Sequence, residues 1–342
     1  MRFTPFLAVI VLACPSSILA QSRPASDPPA SRPASLAGFE ISPHFREQVK
    51  TYRFEPEVSI HINAPAPEAF DRARPTRVII YALPNVNTIE WTIGRKPAPG
   101  LDWHYNIQHI GAQVRRLREK ITDCNWVVAY LEADKRAWPT WKTRHPDYRE
   151  LIPRIVADIA GRLGPGEIRI DLSGHSGGGS FVFGYIDGFE HIPDQIERIS
   201  FLDSNYGYDD ELRHGDKLIE WLRGGRQRYL SVICYDDRNI MLDGKLLIGP
   251  TGGTWRKTQR MIERLNKDVE LTERPMQGLI RHQGLDGRID IIMHPNPQNK
   301  ILHTALVGNM NGLIHAMTCG TKGEGVAGTF NGGVAYEKWI QP

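Results

Sequence analysis

In the stretch IRIDLSGHSGGG, Ile168 to Gly179, a short alternating and apolar run (Ile168, Arg169, Ile170, Asp171, Leu172) runs straight into Gly174-His175-Ser176-Gly177-Gly178. The run reads as a buried strand, and the pentapeptide fits the G-x-S-x-G pattern of a nucleophile elbow. Ser180-Phe181-Val182-Phe183-Gly184-Tyr185-Ile186 follows with the apolar periodicity of a helix. Strand, tight turn and helix in that order are the context the pattern requires, because a serine at the apex needs neighbours without side chains. The competing readings are a glycine-rich structural turn and a phosphate cradle at a helix N-terminus. A phosphate cradle would need Gly-Lys-Ser/Thr after a four-residue gap, and a dinucleotide site G-x-G-x-x-G early in the chain. Neither occurs.

Outward from this stretch the chain alternates between two patterns. Arg77–Leu83 (RVIIYAL) and Trp126–Leu131 (WVVAYL) are near-continuous apolar runs, as expected of strands buried on both faces of a parallel sheet. Between them, residues 105–121 carry Ile107, Ile110, Val114, Leu117 and Ile121 at helical spacing. A second helix is expected over 150–163, stopped by Gly164-Pro165-Gly166. Beyond the elbow, strands are expected at 196–202 and 229–235, and two more within 278–296 around Gly284-Leu285-Asp286-Gly287. Helices are expected at 216–222 and 255–265, with a glycine-interrupted candidate at 309–319. Residues 45–54 and 58–63 read as antiparallel opening strands at an edge. The repeat of strand and helix implies an α/β fold with right-handed crossovers.

The 342 residues, 41% hydrophobic and 24% charged with a net charge of +3, suit one large α/β domain. Basic and acidic residues are interspersed, so no nucleic-acid partner is expected. Residues 1–20 combine Arg2, an apolar run from Phe6 to Ala13, and Ala20 before Gln21, the pattern of an export signal. That predicts a secreted or periplasmic protein without an integral membrane segment, lipidation at Cys14 being the lesser alternative. Residues 21–37 are rich in Pro, Ala and Ser and read as a disordered linker, leaving 38–342 as the folded domain. Of the remaining cysteines, Cys124, Cys234 and Cys319, no pair has metal-site spacing, and no His-Glu-x-x-His run occurs, so neither metal nor cofactor is expected.

Elbow, strand order and a trailing histidine together resemble the α/β-hydrolase superfamily over roughly Val58 to Cys319, and the Gly-His-Ser-Gly-Gly form resembles its secreted esterases, lipases and peptidases. The resemblance implies a mostly parallel central sheet with helices on both faces, and Ser176 as a nucleophile. A serine of ordinary acidity needs a histidine to take its proton and an acid to hold that histidine's tautomer, in the chain order Ser, acid, His. His303, after the last expected strand, is the chosen base, with His294 and His315 as alternatives. Asp203 ends the strand after the elbow helix, and Asp236 and Asp237 end the next; position alone does not separate them. The Gly177 amide is one expected oxyanion donor. A second is expected from the loop after Arg77–Leu83, with Asn85 the candidate, although that loop lacks the His-Gly segment frequent there. Trp91, Trp138 and Trp141 are candidate substrate-binding rings. Only about 25 residues separate Asp203 from the next strand, so no large lid is expected. The function so implied is hydrolysis of a small or polymer-linked carboxylic ester, with amide hydrolysis or non-catalytic binding as alternatives.

Overall fold

The computed structural model describes Met1 and residues 35–342; the expected leader after Met1 and the expected linker up to residue 34 lie outside the described residues. The strands are, in chain order, β1 (Glu40–Ile41), β2 (Gln48–Phe54), β3 (Val58–Ala64), β4 (Thr76–Ala82), β5 (Asn125–Ala133), β6 (Ile168–His175), β7 (Ile196–Leu202) and β8 (Tyr229–Tyr235). They continue with β9 (Met241–Leu242), β10 (Lys245–Leu246), β11 (Thr272–Met276), β12 (Leu279–Gly284) and β13 (Ile289–His294). The α-helices are α1 (Ile89–Ile93), α2 (Ile110–Lys120), α3 (Trp138–Arg144), α4 (Tyr148–Gly161), α5 (Gly179–Asp187), α6 (His214–Arg223), α7 (Thr254–Leu265) and α8 (Gly312–Thr318).

Eleven strands form one sheet in the order β1-β2-β3-β5-β4-β6-β7-β8-β13-β12-β11. The central strands β5, β4, β6, β7, β8 and β13 are parallel, and antiparallel strands flank them on both sides. The continuous apolar runs fill both faces. Along β4, Val78, Ile80 and Ala82 point into one apolar layer, while Ile79, Tyr81 and Leu83 point into the other. Helices α3 to α7 cover the first face, and α1, α2 and α8 the second. Each lays down a stripe at helical spacing; in α4 it is Leu151, Ile152, Ile155, Val156 and Ile159. This is the α/β-hydrolase fold. No helix among the described residues is long and apolar enough to cross a membrane.

The strand order positions the site. From β4 the chain moves out to β5 on one side, then returns past β4 to β6 on the other. The loops leaving the carboxyl ends of β4 and β6 therefore diverge, and such a switch point opens a crevice above the sheet. Asn85 follows β4, Ser176 follows β6, and Asp203 follows β7.

Some details differ from expectation, and α2 begins at Ile110 rather than near residue 105. Leu36 is buried at 3% exposure and its amide donates to Gln48 Oε1 at 2.7 Å, so packed chain begins before residue 38. Residues 138–144, for which no helix is expected, form α3.

Candidate active site

The chain turns after β6 where the sequence puts its glycines. Ser176 has φ of 53°, in the left-handed region, and opens a single turn of 3-10 helix that leads into α5. The backbone there runs against its neighbours with no room for side chains. A Cβ on Gly179 would lie 1.7 Å from the Ser204 carbonyl oxygen, and one on Gly178 would lie 2.1 Å from that of Ala82. Helix α5 thus starts wedged between the chain leaving β4 and the chain leaving β7. A Cβ on Gly177 would instead meet Asn85 Oδ1 at 1.9 Å, a side chain that can swing away. Gly179→Ala is therefore expected to cost about 3 kcal/mol or more, because backbone must move. Gly177→Ala should cost less and act on Asn85. Denaturant melts of the two variants check this; equal losses would contradict it.

Ser176, Gly177 and Asn85 line a cavity of about 550 Å³, and His303 lines it too. His303 Nδ1 is hydrogen-bonded to Asp203 Oδ2. Asp203 is fully buried, with φ of 46°, its amide donating to the Ile233 carbonyl at 2.7 Å. Its other oxygen, Oδ1, accepts from the Thr254 hydroxyl at the first turn of α7. The Thr254 amide donates to Asp237 Oδ2 at 2.8 Å. Burial and the Asp203 charge raise the Asp237 carboxyl to about 6, against hydrogen bonds from backbone amides. Two residues of this site, Ser176 and Asp203, thus sit in a conformation that costs a side-chain-bearing residue about 1–3 kcal/mol.

The candidate acids have different partners. Asp203 meets His303, whereas Asp236 pairs with Arg238 at 2.7 Å and Asp237 faces Thr254. Of the alternative histidines, His294 ends β13 with Nδ1 accepting from the Asn296 amide at 2.9 Å, and His315 is buried against Asp290 at 2.7 Å. Ser176 and His303 share a wall of the cavity without a hydrogen bond between them. The Asn85 amide donates to no group among the described residues.

The tryptophans do not line this cavity. Trp138 and Trp141 are 1% and 0% exposed, packed edge to face on each other at 5.4 Å, with Trp138 also against Phe181 at 4.7 Å. The Trp141 ring N–H donates to the Pro56 carbonyl. Their apolar area packs α3 against α5, and Pro139 between them is the residue that reaches the cavity. Trp91 stacks on His104 at 4.2 Å, apart from the lining. The apolar lining comes instead from Tyr206, Tyr235, Leu247, Ile248 and Ile301. Leu247 and Ile248 follow the β9–β10 hairpin, whose Asp243-Gly244 turn has both φ values positive, the geometry of a two-residue type I′ loop.

No protein-family model matches the sequence, and no curated protein sequence matches it. Solved structures similar to this chain include a thermostable esterase, 12% identical, matched over 76% of this chain and 59% of that one with a TM-score of 0.44. Thermogutta terrifontis esterase 2, phosphoramylated by tabun, is 13% identical over 65% of this chain and 78% of its own, TM-score 0.35. Poly(aspartic acid) hydrolase-1 from Sphingomonas sp. KT-1 is 13% identical over 64% and 85%, TM-score 0.39. This chain spans less than two thirds of the thermostable esterase. Likenesses this distant say nothing of substrate.

Proposed function

We propose that this chain is an exported serine hydrolase that cleaves neutral carboxylic esters through an acyl-enzyme on Ser176. The pairing of His303 Nδ1 with the buried Asp203 carboxylate, on the wall of the cavity that Ser176 enters, supports this reading above all else. An imidazole whose Nδ1–H is held by a carboxylate presents a bare Nε2, which is what a base needs. Ser176 Oγ attacks the ester carbonyl as its proton passes to His303 Nε2. The carbonyl oxygen becomes an oxyanion, for which the Gly177 and Asn85 amides are the proposed donors. His303 then returns the proton to the departing alcohol as the carbon–oxygen bond breaks, leaving an acyl group on Ser176. Water, deprotonated by His303, releases the acid by the same steps in reverse order.

The lining indicates the kind of ester. Among the described residues that line it there is, apart from His303, no ionisable group other than the two phenols Tyr206 and Tyr235, and Pro139, Leu247, Ile248 and Ile301 make it apolar. Burying an unpaired carboxylate there would be costly. Neutral short and medium acyl esters are therefore expected to exceed a succinyl hemiester in kcat/KM by at least about tenfold. The experiment is a fluorophosphonate label, with the adducted peptide identified by mass spectrometry, followed by that ester panel and matching amides. A label on the Ser176 peptide with ester turnover fits the proposal, and turnover of amides alone moves it to amide hydrolysis. Folded protein that takes no label and turns over neither would leave a non-catalytic binding scaffold.

A further inference from the structure

His175, the residue just before Ser176, is 1% exposed and faces two oxygens: the main-chain carbonyl of His303 lies 3.1 Å from its Nε2, and Gln108 Oε1 lies 3.1 Å from its Nδ1. Its ring also packs on the His303 ring, centroids 4.4 Å apart and planes inclined at 41°. Burial and the neighbouring imidazole push its basicity well below the ordinary range, so the ring is neutral and has one N–H to give. The two acceptors are not equivalent. A carbonyl can only accept, while a carboxamide can turn end for end. With Gln108 Oε1 toward the ring, that oxygen also accepts from the Tyr81 hydroxyl at 3.3 Å, and Gln108 Nε2 is buried without a partner. With the amide turned, the two Nε2 hydrogens go to His175 Nδ1 and to the Tyr81 oxygen, which now accepts, and the ring proton sits on Nε2, directed at the His303 carbonyl.

We propose that His175 is a positioning residue: its Nε2–H grips the main chain of His303, and so ties the base to the residue preceding the nucleophile. This rests on the serine-hydrolase reading above and deepens it. The wider loop is anchored elsewhere, since Gln113 on α2 donates to the Val307 carbonyl at 2.9 Å and accepts from the Leu313 and Ile314 amides. The anchor nearest to the base is His175. Because the elbow carries both Ser176 and this grip, the spacing of serine and imidazole follows from one rigid turn. An error of about 1 Å in that spacing is worth about a hundredfold in rate.

Three variants test the role. His175→Phe keeps an aromatic ring against His303 and has no donor; His175→Gln carries an amide N–H near the position of Nε2; His175→Asn carries one that falls short of the His303 carbonyl. The expected result is a fall in kcat of at least about tenfold for Phe and Asn, with KM within about twofold, and recovery by Gln to within about threefold of wild type. Fluorophosphonate uptake should fall in step with kcat. Each is read per folded protein by circular dichroism, and if the Phe variant does not fold, the Gln and Asn pair decides. Wild-type kcat in a folded Phe or Asn variant, or Gln no better than Asn, overturns the role while wild-type activity stands. A wild-type chain inert to label and esters overturns the chemistry beneath it and the role together.

Discussion

Ser176→Ala is expected to abolish fluorophosphonate uptake and to lower ester turnover by about 10⁶-fold, toward the residual rate that binding and an oxyanion hole sustain without a nucleophile. The loss should lie in kcat, because the hydroxyl acts on the reacting carbon and contributes little to holding the ester. A second variant separates chemistry from strain. Ser176 has φ of 53°, where a Cβ is unfavourable and glycine is free, so Ser176→Gly should be as inactive as Ser176→Ala yet at least as stable, by up to about 1 kcal/mol. Thermal melts of both, beside turnover of one soluble ester, check the pair. An active Ser176→Ala protein would remove the serine from the mechanism. A Gly variant clearly less stable than the Ala variant would mean that the turn is not strained.

How far the chain could be read in advance depended on the range of the interactions. Local signals carried well. Strands β7 and β8 begin and end where their apolar runs do, and the glycines after Ser176 announce a turn whose close approaches explain each of them. Where local signals competed, the reading went astray. Trp138 and Trp141 are expected to meet substrate, but their spacing of three, with proline at the start, is that of a helix turning one face inward. Edge strand β11 was missed because Pro275 and charged residues make it look unlike a strand, although an edge tolerates both. Which aspartate meets His303 was not legible at all. Asp203 and Asp237 both end strands, and what distinguishes them is a contact with His303 across 100 residues of chain. Thr254, which touches both carboxylates, carried no signal either, standing as an ordinary first residue of α7.

That contact makes Asp203→Asn the sharpest test of the site. Asparagine tolerates the φ of 46° at this position, and its Oδ1 can still accept from the Thr254 hydroxyl, so the variant should fold. Its amide N–H₂, however, would donate to His303 Nδ1 and put the imidazole proton on Nε2. A base protonated at the atom that must accept is no base, and kcat is expected to fall by about 10³–10⁴-fold. Asp237→Asn should keep turnover within about tenfold of wild type at pH 8, since Asp237 meets Thr254 and not the imidazole. Its signature lies in stability. Burial and the Asp203 charge raise the native Asp237 carboxyl to about 6, whereas an unfolded aspartate titrates near about 3.9. Between those values the native state holds the proton more tightly, so Asp237 contributes stability below about pH 4 that is lost as pH rises through about 6. Asp237→Asn removes that loss, and its stability relative to wild type should climb from pH 4 to pH 6 and then level off. Denaturant midpoints across that range, with turnover of both variants at pH 8, decide the assignment. Equal catalytic losses at the two positions would mean that the carboxylates act as one unit, and a larger loss at Asp237 would transfer the role of acid to it.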